Sequence, residues 1–139
     1  MKIRPILIPI AVLICTSIGI TASGGDNKQH DDKDLSFKQD VFPVIKKYCL
    51  PCHAEESLNP SELSLDSYAL LKDGGKHGSP IVVGKPEESI LIQKLNDTPP
   101  FGDRMPLARR RKSQEPPKKL TEEEFKILTD WIKQGAKDN

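Results

Sequence analysis

Two thiols and an imidazole fall within five consecutive residues, Cys49-Leu50-Pro51-Cys52-His53, and no other feature of the 139-residue chain restricts its fold as strongly. A third cysteine, Cys15, sits in an apolar stretch near the start. Lys2 and Arg4 give a short positive beginning, residues 5–20 form an apolar run, and small residues follow from Thr21 to Gly25. This layout predicts a signal peptide over residues 1–22, cleaved near Ala22 or Ser23. The run is shorter than the roughly 20 residues a membrane-spanning helix needs, and Pro5 and Pro9 interrupt it. Cys15 therefore leaves with the leader, and Cys49 and Cys52 are the thiols of the mature chain. Membrane contact would require a retained leader or a lipid on Cys15, which the bulky Ile14 before it disfavours.

Charged residues make up 29% of the chain and aromatic residues 5%, so few large side chains are available for a core. A bound apolar group would supply the missing bulk. The C-x-x-C-H peptide is suited to hold one. Its two thiols can add across the vinyl groups of haem while the adjacent imidazole is held under the iron. Other uses of these residues fit less well. A redox dithiol normally sits on a βαβ scaffold with its first thiol at a helix N-terminus, whereas here a helix leads into Cys49. A zinc site needs more ligands, and only His30 and His77 remain as nitrogen donors. Export places the thiols where a disulfide must also be considered. The charge balance, 21 basic against 20 acidic residues, selects no partner and gives no sign of nucleic-acid binding.

Residues 23–35 read as a flexible polar linker, with Gly24-Gly25 and the cluster from His30 to Asp34. The domain is expected over 36–139. Ser36 is the expected N-cap of a first helix whose stripe is Phe37, Val41, Val44, Ile45 and Tyr48, with a kink or restart at Pro43. A short helix capped by Asp66-Ser67 should end at Gly74-Gly75. A third should run from Pro86 to about Leu95 and end at Asn96-Asp97. The last helix has a Thr121/Glu124 capping box, a face of Phe125, Leu128 and Ile132 with Ile127 and Trp131 beside it, and a stop at Gly135. No alternating strand pattern is present, so the mature domain is predicted to be all-α with about four helices and long loops.

Haem iron in an electron carrier usually takes a second axial ligand. Met105 stands in a proline-stiffened polar loop between Gly102-Asp103-Arg104 and Pro106, an odd place for a methionine that merely fills a gap. A thioether there would complete a His/Met pair and raise the reduction potential. His77, in Gly74-Gly75-Lys76-His77-Gly78, is the rival ligand or else a solvated loop histidine.

From about Phe37 to Ala136 the sequence resembles the small class I cytochromes c, in particular the planctomycete-type cytochrome c domain. The resemblance runs through Val41-Phe42-Pro43-Val44-Ile45, Cys49-Leu50-Pro51-Cys52-His53, Leu63-Ser64-Leu65-Asp66-Ser67, Gly84-Lys85-Pro86-Glu87-Glu88-Ser89, Met105-Pro106, and Leu120 to Glu124 with Trp131 to Ala136. It implies the cytochrome c fold around one covalently attached haem c, with the first and last helices packed through Phe37, Val41, Phe125 and Trp131. It also implies Cys49 and Cys52 as thioether anchors, His53 as proximal ligand and Met105 as distal ligand. Two departures stand out: Leu107 replaces the second proline of the family's Met-Pro-Pro, and residues 108–119 look inserted. That insertion carries Arg109, Arg110, Arg111, Lys112, Lys118 and Lys119, which could steer an acidic redox partner or form a solvated loop.

The resulting expectation is a periplasmic mono-haem cytochrome that passes single electrons to redox partner proteins, with no residue acting as acid, base or nucleophile. A peroxidase-like haem enzyme, an electron-input module of a larger oxidoreductase, or a sensor with a labile distal ligand are the alternatives.

Overall fold

The computed structural model of the protein describes residues 33–50, 52–107 and 119–139. The expected signal peptide, most of the expected linker, Pro51 and the basic residues from Arg109 to Lys118 lie outside the described residues.

Ser36 accepts a hydrogen bond from the Gln39 N–H through its side chain, capping a π-helical turn, Phe37–Val41. The chain then restarts as helix α1, Phe42–Tyr48, with Pro43 in its first turn. Proline has no N–H to donate, so the wider turn before it and the restart follow from its position. Helix α2, Tyr68–Asp73, is capped by the Ser67 side chain and ends at Gly74.

The helix expected from Pro86 to Leu95 is instead two short pieces. A 3-10 turn, Pro86–Glu88, and helix α3, Ile90–Gln93, are separated by Ser89 in extended backbone. Ser89 is fully buried. Its hydroxyl accepts from the Val82 N–H at 2.9 Å and donates to the Lys85 carbonyl at 2.9 Å. A serine hydroxyl engaged with a neighbouring loop competes with helical backbone bonding.

Helix α4, Glu122–Lys133, carries the expected capping box. Gly135 follows at φ 108, where only glycine is unstrained. Among the described residues all regular structure is helical, apart from one isolated bridge between Gly75 and Gly78.

The core joins the two ends of the domain. Val41, Ile45, Leu71, Leu128, Trp131 and Ile132 are buried. Phe37 and Trp131 meet with ring centroids 5.6 Å apart, and Tyr68 stands edge-on to both. Burying each such side chain contributes about 1.5–3 kcal/mol. Polar bonds fix the same junction: Trp131 Nε1 donates to the Lys137 carbonyl and the Tyr68 hydroxyl to that of Ala136. Leu35, the last residue of the expected linker, is buried, and its N–H donates to Gln134 Oε1 at 2.8 Å.

Candidate functional site

Helix α1 ends at Cys49, whose N–H donates to the Ile45 carbonyl. The chain turns tightly from there: the His53 N–H donates to the Cys49 carbonyl at 3.0 Å. Cys49, Cys52 and His53 thus share one turn, with Cys49 half-buried and Cys52 exposed, both as free thiols. Burial first, and Cys52 beside it, push the Cys49 thiol pKa up to about 12. Reactive dithiols need the opposite, a stabilised thiolate, and a helix C-terminus offers no positive potential for one. Among the described residues no group of three or more His, Cys, Asp or Glu is placed to hold a bare metal ion.

His53 is fixed at three points. Besides its N–H, its carbonyl accepts from the Leu65 N–H at 2.8 Å, and its Nδ1 lies 3.1 Å from the Leu63 carbonyl oxygen. A carbonyl can only accept, so Nδ1 carries a proton, and in the neutral imidazole Nε2 is then the nitrogen with the lone pair. This is the arrangement of a histidine prepared for a metal ion.

The acceptor is itself held. The loop 59–63 packs backbone to backbone against Gly75, where an added Cβ would lie 2.4 Å from the Ser61 carbonyl oxygen and 2.8 Å from the Leu63 nitrogen. Lys76 N–H donates to that same Ser61 carbonyl at 2.9 Å. Only glycine permits so close an approach.

At this same end of α1, immediately before Cys49, the Tyr48 hydroxyl donates to Glu124 Oε2 at 2.6 Å and Lys47 Nζ pairs with Oε1 at 2.6 Å. Glu124 Oε2 also accepts from the Thr121 N–H. Burial alone would raise the pKa of this carboxyl, but the bonds from Lys47, Tyr48 and Thr121 outweigh it and hold it at about 2. Sequence reasoning placed Tyr48 in an apolar stripe and Glu124 in a cap; their union was missed, because neither pattern marks a long-range partner.

Met105 is half-buried and packs against the core, as do Cys49, Leu50, Leu63, Leu120 and Phe125. Its segment hangs from the end of α3: the Met105 N–H donates to the Lys94 carbonyl at 2.7 Å and Arg104 Nε to that of Leu95 at 2.9 Å. Lys94 Nζ closes the loop between them by donating to the Phe101 carbonyl at 2.6 Å. Beside this segment a cavity of about 240 Å³ is lined by Leu95, Arg104, Leu120, Thr121, Glu122 and Phe125. His77, the rival to Met105, is exposed and stacks on Phe101 with centroids 4.2 Å apart. The basic residues from Arg109 to Lys118, for which partner steering or a solvated loop is the expectation, lie outside the described residues.

The residues present fit a covalently attached haem: two free thiols three positions apart and an imidazole whose Nδ1 is turned to a backbone carbonyl. No curated protein and no solved structure matches the chain. Residues 49–106, from the first thiol to the proline after Met105, match the family Planctomycete cytochrome C. This match supports a planctomycete-type cytochrome c domain over that stretch.

Proposed function

We propose that this is an exported, periplasmic mono-haem c-type cytochrome that carries single electrons between redox partner proteins. A cytochrome c domain points to haem c binding and to electron transfer rather than substrate turnover. The observation that carries the finer reading is the His53 side chain, fixed through Nδ1 on Leu63 in the same turn as the two free thiols.

A bound haem would supply a one-electron couple at its iron. The chain's own residues do the rest. Cys49 and Cys52 are placed to tether it as thioethers. His53 would hold its iron through Nε2 and Met105 through its thioether, a pairing that would favour reduced iron and a higher potential. Leu50, Leu63, Leu120 and Phe125 are partly buried against the core and would add apolar surface for such a group. The fold that accompanies this reading is that of cytochrome c, in keeping with the contact between the Phe37 turn and α4 through Trp131.

The test is expression in a host that matures cytochromes c, followed by cell fractionation, denaturing-gel haem staining and absorption spectra of the protein and its Met105→Ala variant. Covalent haem in the periplasmic fraction, and a low-spin spectrum whose methionine-to-iron band disappears in the variant, are expected. Absence of covalent haem would overturn the proposal; unchanged coordination in Met105→Ala would remove Met105 as ligand, and a high-spin, peroxide-reactive wild type would favour an enzyme.

A further inference from the structure

The Leu63 carbonyl oxygen that accepts the His53 Nδ1–H at 3.1 Å is also 3.3 Å from Asn59 Nδ2. The orientation of the Asn59 amide follows from its other contact. The Leu63 N–H lies 3.2 Å from Asn59 Oδ1, and an N–H must meet an oxygen. The amide nitrogen is therefore the group turned to the carbonyl. Ser61 Oγ donates to Oδ1 at 2.7 Å and holds the amide in place. Asn59 thus brackets both peptide groups of Leu63, and two donors converge on one oxygen.

We infer that Asn59 tunes the electron-donating strength of His53 by sharing its hydrogen-bond acceptor, the Leu63 carbonyl. Each donor draws electron density from the oxygen, so the amide of Asn59 weakens the bond that the imidazole makes. A weaker Nδ1–H bond leaves the imidazole less anionic and a poorer donor through Nε2. A poorer donor favours reduced iron over oxidised iron, which raises the potential. Because the Asn59 amide is neutral, the effect travels through the acceptor and needs no added charge. Asn59 is a positioning residue: it acts on the site through Leu63 and His53. The inference rests on His53 being the proximal ligand, as proposed above.

The experiment uses the haem-loaded chain and compares Asn59→Ala with Ser61→Ala. Redox titration reads the potential, proton NMR of the reduced protein reads the position and exchange rate of the His53 Nδ1–H, and thermal melting reads stability. In Asn59→Ala the reduced-to-oxidised ratio at fixed ambient potential should fall about threefold to tenfold, less than removing the direct partner of a ligand does, because Asn59 acts one step further out. The Nδ1–H signal should move downfield and exchange more slowly. Ser61→Ala keeps the donor and should lower the melting temperature while leaving the potential near that of the wild type. Should Asn59→Ala mature poorly, Asn59→Asp keeps the oxygen that Leu63 and Ser61 need but lacks the donor, and its Nδ1–H should likewise exchange more slowly. A loaded, low-spin Asn59→Ala protein with unchanged potential and unchanged Nδ1–H overturns the role of Asn59 alone. A wild type without covalent haem, or a His53→Ala variant with unaltered iron coordination, overturns the underlying reading and the inference with it.

Discussion

The Tyr48 hydroxyl and the Glu124 carboxylate meet at 2.6 Å across 76 residues of sequence, and this bond joins the end of α1, one residue before Cys49, to the first turn of α4. The acceptor is ionised, so the bond is of the stronger kind, worth about 1.5–3 kcal/mol. Tyr48→Phe should therefore lower stability by about 1–2 kcal/mol, since Glu124 keeps its other donors. Glu124→Ala removes the cap as well and should cost more, about 2–3 kcal/mol. Denaturant unfolding of both single variants and the double variant measures this; strict additivity would show that the two residues do not act together.

The same carboxylate makes stability depend on acid. The Glu124 pKa, about 2 in the folded chain, lies below its ordinary value of 4.5. Between those values the unfolded chain binds the proton and the folded chain does not, so stability rises with pH. The contribution is complete above about pH 5 and lost as pH falls toward 2. Unfolding curves from pH 2.5 to 6 should be steeper in pH for the wild type than for Glu124→Gln.

Two glycines three residues apart should respond differently to a methyl group. In Gly75→Ala the new Cβ meets backbone at Ser61 and Leu63, so a shift of the loop that carries the His53 acceptor is unavoidable. A loss of about 1–3 kcal/mol or more is expected. Gly78 has φ +77 and nothing within 4 Å of an added Cβ, so Gly78→Ala should cost only the local backbone strain, about 1 kcal/mol. Thermal melts of the pair decide the point, and an equal loss would argue against close packing at Gly75.

Ser89→Ala leaves the Val82 N–H and the Lys85 carbonyl without the hydroxyl they share. Val82 and Lys85 are exposed residues, so the loss is that of ordinary hydrogen bonds, about 0.5–1.5 kcal/mol each, and a fall in melting temperature is expected. Hydrogen exchange at the Val82 amide should rise in the variant above what the global stability loss explains.

Most helix boundaries were readable because local rules set them. Ser36, Ser67 and Thr121 cap where capping residues should, and Gly74 and Gly135 stop what they follow. The Pro86–Leu95 segment misled because its apolar spacing does suit a helix, whereas the use of Ser89 depends on Val82, which only folding brings near. The thiols, His53 and Met105 were visible as residue types. The Leu63 carbonyl was not, since a backbone acceptor leaves no trace in residue identity. Leu35 escaped for a similar reason: its polar neighbours masked a residue whose backbone N–H Gln134 holds and whose side chain is buried in the core.

The contacts that close the domain span long stretches of chain: 99 residues from Leu35 to Gln134, 77 from Lys47 to Glu124 and 68 from Tyr68 to Ala136. A helical protein built this way must meet a large loop-closure cost before its last helix docks, and should fold more slowly than its helix content implies. The turn from Cys49 to His53 lies inside that loop. On the function proposed above, Cys49, half-buried at the end of α1 where Cys52 is exposed, is the thiol harder to reach, so joining a prosthetic group there is easier before the fold has closed.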